Sequence, residues 1–168
     1  MRIRTGSDLK RGRSWLSAVV VVGLLLGAGH ATAVPAAAGG GACTGTSGVT
    51  VVVDFTAFGR GVSVSCAPGS QSSGFDALTA AGFQFDQSAN FPGAICRIKG
   101  FPGPGAEDCQ NMPPPSAYWS YWHANSGKTT WTRSSLGAAT YQPKPGSVDA
   151  WAFGAGTAPS FTPASVRP

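Results

Sequence analysis

Charge is scarce in this chain, at 11% of 168 residues, and most of the excess positive charge is concentrated at one end. Of the 12 Lys and Arg, five lie in residues 1–13, with one of the 7 Asp and Glu. Seven cations and six acids remain for everything that follows, a net charge of +1. Nucleic-acid binding needs a concentrated basic surface, so that class is excluded for the body of the chain. Histidine is nearly missing: His30 and His123 are the two. There is no Cys-x-x-Cys pair, so no metal site is expected. There is no Gly-x-Ser-x-Gly elbow for a serine hydrolase, and Gly59-Arg60-Gly61 reads as a turn, not a phosphate loop. No internal repeat appears at solenoid periods.

The first segment is ordered as basic, apolar, small. Arg2, Arg4, Lys10, Arg11 and Arg13 precede an apolar run from Trp15 to Gly29, and Ala31-Thr32-Ala33 follows. That order is a secretory signal peptide over residues 1–33. The run is shorter than the ~20 residues that span a bilayer comfortably. A retained membrane anchor is the alternative. The expected product is secreted, extracellular or cell-wall associated, with no membrane span once the leader is cleaved.

Four cysteines, Cys43, Cys66, Cys96 and Cys109, lie beyond the leader. An even count in a small exported chain reads as two disulfides. Three pairings are possible; we favour Cys96–Cys109, which staples the loop from Gly100 to Gly105, and then Cys43–Cys66.

The aromatic stretch Tyr118-Trp119-Ser120-Tyr121-Trp122-His123, with Trp131 and Trp151 after it, is the centre of the chain. Aromatic side chains bury ~150–250 Å² each and dominate core energetics. Around it, Val49 to Phe55 and Val62 to Cys66 read as a β-hairpin joined at Phe58 to Gly61. Ser73 with Asp76 caps a helix of about two turns that ends near Gly82. Phe83 to Phe85 is a short extended piece, and Ala94 to Ile98 a further strand. Tyr118 to His123 and Thr129 to Ser134 form a second hairpin about Asn125 to Gly127. Ser147 to Phe153 is the last strand. Residues 34–48 read as a flexible lead-in, 49–154 as the domain, and 155–168 as a disordered tail rich in Pro, Thr and Ser. The fold class is α+β: a small mixed sheet, one short helix on one face, two disulfides and disordered termini.

Several of these segments resemble a known family. Cys66 to Gly69, the helix ending at Ala81 to Phe83, Ile95 to Ile98, Tyr118 to Trp122, Trp131, Gly137-Ala138 and Pro145 to Trp151 look like small exported actinobacterial proteins. Those are related to the β-grasp domain at the C-terminal end of transcobalamin-type cobalamin binders. The resemblance implies a β-grasp-like fold. In those binders the domain caps a ligand held largely by a second, helical domain, which has no counterpart in these residues. The resemblance, with the aromatic face, implies capture of a cobalamin-like ligand beside a transporter, which stands as the alternative to the reading the residues favour, a binding or surface-interaction module for a small molecule or a surface protein.

The residues agree with a non-catalytic, monomeric binding module without a cofactor. His123 with Asp149 and a serine is the one set from which a hydrolase could be built, and a lone histidine on an aromatic strand reads as structural. The candidate ligand-binding residues are Tyr118, Trp119, Tyr121, Trp122, His123 and Trp131. Alternation places Tyr118, Ser120 and Trp122 on one face and Trp119, Tyr121 and His123 on the other. One face packs on the helix. The other is either covered by the disulfide loop or exposed, and an exposed aromatic patch marks a partner surface.

Overall fold

The run Val49 to Val53 is continuous in β-branched residues because its strand is buried on both faces and pairs on both edges. In the computed structural model, which describes residues 40–167, strand β1 (Gly48–Asp54) is buried along its whole length. It pairs antiparallel with β2 (Val62–Pro68) and parallel with the last strand, Val148–Gly154. Between them come α1 (Gly74–Ala80), β3 (Phe85–Gln87), β4 (Ile95–Ile98), β5 (Tyr118–Ala124) and β6 (Thr132–Arg133), so the last strand is β7. The main sheet has the order β2-β1-β7-β5-β6, and β3 and β4 form a separate antiparallel pair. This is a mixed sheet with one helix, an α+β fold, and first and last strands lie side by side at its centre.

Local chemistry sets the helix. The Ser73 hydroxyl accepts from the Asp76 N–H at 3.0 Å, and Ser72 donates to the Asp76 carboxylate. Gly82, at φ +81°, turns the chain out after the last residue. Seven residues cannot hold a helix in water alone. Ala77 and Leu78 bury it against Val49, Val51, Val53, Tyr121 and Trp151. Phe55, Phe58, Phe101, Trp119 and Phe153 pack edge-on or tilted at the far end of that core.

Both disulfides form as expected, Cys43–Cys66 and Cys96–Cys109. The placement of the second loop differs from expectation. Phe101 in the Cys96–Cys109 loop accepts a hydrogen bond from Trp119 Nε1 at 3.0 Å, so the loop closes the helix side of the sheet. The opposite face, with Val52, Val148 and Ala150, is covered by Phe161 and Val166 of the C-terminal segment. Residues 155–167, expected from composition to be disordered, are therefore packed. The reason is a set of polar ties that composition does not reveal. The Asp54 carboxylate accepts from Ser160 N–H and Oγ at 2.9 and 2.8 Å, and Trp131 Nε1 donates to the Phe161 carbonyl at 2.7 Å. The Arg167 guanidinium donates to the carbonyls of Ala124, Asn125 and Lys128.

Two other boundaries move. The lead-in is held from residue 40: Gly41 N–H donates to Val64 C=O at 3.0 Å, and Cys43 is buried. The strand expected over Thr129 to Ser134 shrinks to Thr132–Arg133, because Trp131 turns onto the tail and the chain leaves β5 after Ser134. The signal-peptide reading, residues 1–33, lies outside the described residues. Among the described residues no helix is long and apolar enough to cross a membrane.

Candidate functional site

Strand β5 lies between β7 and the short β6, and its two faces meet different surroundings. Tyr121 sits opposite Trp151, and Trp119 opposite Phe153, on the helix side. Trp122 sits opposite Ala150 on the tail side. The six candidate residues therefore do not make one platform. Trp122 and Trp131 lie under the tail, with Trp122 Nε1 donating to Ser120 Oγ at 2.9 Å. His123 stacks on Tyr141, ring centroids 4.2 Å apart. Tyr118, Trp119 and Tyr121 line a groove of about 540 Å³ along the outer edge of β5.

That groove is walled by two loops. One is the link that follows β6, whose Gly137 to Tyr141 part is docked on the start of the helix. Gly74 N–H donates to Tyr141 C=O at 3.0 Å and Phe75 N–H to Ala138 C=O at 3.2 Å, so the orphan donors of the first turn fasten the link. Gly74 is required there: a Cβ would stand 2.9 Å from Tyr121 Oη and 3.0 Å from the Ala138 carbonyl. The other wall is Pro92 to Ile95 with Met112 and Pro113. Met112 and Leu136 are 56% and 54% exposed, and both border the groove. Exposed large apolar side chains gathered at one groove carry more information than scattered ones. Arg133 is the single charged residue lining it, and it donates to Tyr118 Oη at 2.6 Å.

Beneath the groove is a buried polar cluster. Asp149 is fully buried and accepts from Tyr121 Oη, with Ser147 Oγ 3.4 Å away. Burial pushes its carboxyl up to about 7, against the hydrogen bonds from Tyr121 and Ser147, which favour the anion. Burial, then the nearby Asp149 charge, pushes the Tyr121 hydroxyl up as well, so it stays a donor. Burial lowers the His123 imidazole. His123 Nδ1 lies 3.0 Å from Tyr141 Oη, and the Asp149 carboxylate is engaged by Tyr121 and Ser147. The polar groups of this cluster satisfy one another, the carboxylate through Tyr121 and Ser147 and the imidazole through Tyr141. Among the described residues, no group of three or more His, Cys, Asp or Glu is placed to hold a metal ion.

Sequence reasoning found the aromatic strand and missed the groove's other residues. Phe75, Ile95, Met112 and the run that holds Arg133 and Leu136 come from four separate segments, and topology alone brings them together. Leu136 carries the one visible signal, a large apolar residue isolated in a polar and glycine-rich link. No family model matches the chain, and no curated protein or solved structure matches it.

Proposed function

We propose that this chain is an exported binding module without chemistry of its own, and that it recognises its partner through the groove beside β5. The observation that carries this reading is the meeting of an aromatic strand edge with two exposed apolar residues, Met112 and Leu136, around one opening. Binding sites combine apolar walls with few, placed polar groups, here Arg133 and the hydroxyl of Tyr118. Export is supported by the two disulfides, which form and persist in oxidising compartments. The parallel first and last strands, with a helix after the first hairpin, support the β-grasp-like reading.

Capture of a small cobalamin-like ligand is the second reading. It is supported by the likeness of Tyr118 to Trp122 and Pro145 to Trp151 to transcobalamin-type domains, and the groove of about 540 Å³ has room for part of such a ligand. The test is a nuclear magnetic resonance screen of the isotope-labelled protein against a mixed set of short peptides and small cofactors, cobalamin included. The expected result is amide shifts concentrated at Tyr118 to Tyr121 and residues 133–140, lost in Leu136→Asp. Absence of any shift there with every probe overturns the groove reading. Hydrolysis of esters or peptides that disappears in His123→Ala overturns the non-catalytic one.

A further inference from the structure

We propose that the occupant of the groove is an extended peptide that adds as a strand to the outer edge of β5, carrying an acidic side chain between two apolar ones. This deepens the binding reading above and rests on it. The first ground is the direction of the main chain. Ser134 N–H donates to Tyr121 C=O at 3.1 Å, so the amide groups of Tyr121 face away from β7. In an antiparallel ladder that orientation repeats every second residue, so the N–H and C=O of Trp119 face the same way. Pairing with β6 covers Trp122 and His123, and the Ser134 bond takes the Tyr121 carbonyl, so the open stretch of the edge is Tyr118 to Ser120. Among the described residues, nothing hydrogen-bonds the outward side of Trp119. The opposite end of the sheet is different, because Gly40 and Gly41 lie against β2 there.

An open edge is a template for another strand, and proteins usually blunt such edges with lysine, proline or a bulge. Tyr118 to Tyr121 holds no lysine and no proline, and its register with β7 runs without a shift. The space beside it suits a strand. One extended residue takes up about 160 Å³, from a strand spacing near 4.8 Å, a layer near 10 Å and a rise near 3.4 Å. The 540 Å³ groove therefore holds about three residues, the length of the open edge.

Side-chain preference follows from alternation. Residues of an added strand that point to the helix side meet Phe75, Ile95 and Trp119, which belong to or pack on the apolar core. The residue between them points to the other side, where Tyr118, Ser120 and Arg133 lie. Arg133 is the only charge lining the groove and no acid accompanies it, so an acidic side chain is the complement. Main-chain bonds give affinity in strand addition, and the alternate side chains give selection.

The probes are fluorescein-labelled heptapeptides, Gly-Gly-Val-Glu-Val-Gly-Gly and its Leu and Phe counterparts, read by anisotropy against the full folded chain. The same peptides with lysine in place of glutamate, or with N-methylated central amides, are the comparators. The acidic peptides are expected to saturate, the lysine and N-methylated forms to bind about tenfold more weakly. Arg133→Glu is expected to reverse the charge preference and Arg133→Gln to erase it, with circular dichroism unchanged because Arg133 is exposed. Amide exchange at Trp119 is expected to slow in the complex. The proposal is overturned by no saturable binding at millimolar acidic peptide, by equal binding of N-methylated forms, or by an unaltered preference in Arg133→Glu. If only small cofactors shift the groove in the screen above, the peptide proposal fails and the binding module stands. If no probe does, both fail.

Discussion

The two faces of the five-stranded sheet are made by the same alternating strands, yet they are covered in different ways. On one face Trp151, Tyr121, Trp119 and three valines of β1 meet a helix, two loops and a ring of phenylalanines. On the other, Val52, Val148 and Ala150 meet a single irregular segment, held by Phe161, Val166 and a few polar ties. The first cover is regular and apolar. The second has little regular structure beyond the 3-10 turn at Pro163–Val166. Regions with few apolar contacts and many exposed hydrogen bonds open first, so the tail side is expected to be the weaker half of the molecule.

The largest test of that contrast is truncation of the helix-side anchor. Trp151 is 1% exposed, and Trp151→Ala is expected to cost about 3–5 kcal/mol, read as a fall in the urea midpoint. A loss below about 1 kcal/mol would erase the distinction between the faces.

Next in size is the buried carboxylate on the same face. Asp149→Ala leaves the Tyr121 hydroxyl buried without its acceptor, at a cost of about 1–3 kcal/mol. The pH dependence separates charge from hydrogen bond. Because burial raises its carboxyl to about 7, folded Asp149 keeps a proton that the unfolded chain releases near pH ~4. Its contribution to stability therefore falls as pH climbs between those values and is level above them. Asp149→Asn is expected to flatten that fall in denaturant midpoints measured across the range. Asp54, at the tail side, runs the other way. Burial alone would push it up, but hydrogen bonds from Ser160 and Thr56 outweigh burial and hold its carboxyl below the usual range. Its contribution is present above pH ~4 and is lost as acid protonates it.

Phe161→Ala acts on the tail side, and its half-buried ring predicts a loss of about 1–2 kcal/mol. It also uncovers Trp131, so tryptophan emission should shift to the red without loss of the helix signal in circular dichroism. Global unfolding with the same change would mean that the tail is part of the core. The smallest effect on stability belongs to Leu136→Asp, within about 0.5 kcal/mol, because the side chain is mostly exposed. Its consequence is expected in binding alone.

How much of this was legible before folding depends on the distance over which the information acts. The strands at Val49 and Val62, the capped helix at Ser73, and the strands at Tyr118 and Val148 are local patterns, and each appears where periodicity placed it. The expected disorder of residues 155–167 failed for a stated reason. A Pro, Thr and Ser composition records the lack of apolar residues, but Ser160 and Asp54 are 106 positions apart, and their bond is invisible to any local window. The strand after Asn125 was shortened by the same kind of remote contact, through Trp131 and Arg167. For the candidate residues, alternation correctly divided Tyr118 and Trp122 from Trp119 and Tyr121. It could not say which loop would cover which face.

By itself the sequence determined most of the elements, the presence of two covalent ties and the aromatic strand, because caps, period-two patterns and cysteine count act over a few residues or through strong chemistry, while it left the cysteine pairing open. The tertiary structure alone decided that the groove exists. Its lining comes from segments that share no pattern, and the edge it offers is open only because β6 ends after two residues. Where a strand stops pairing depends on what its neighbours pack against, and that is a property of the assembled core.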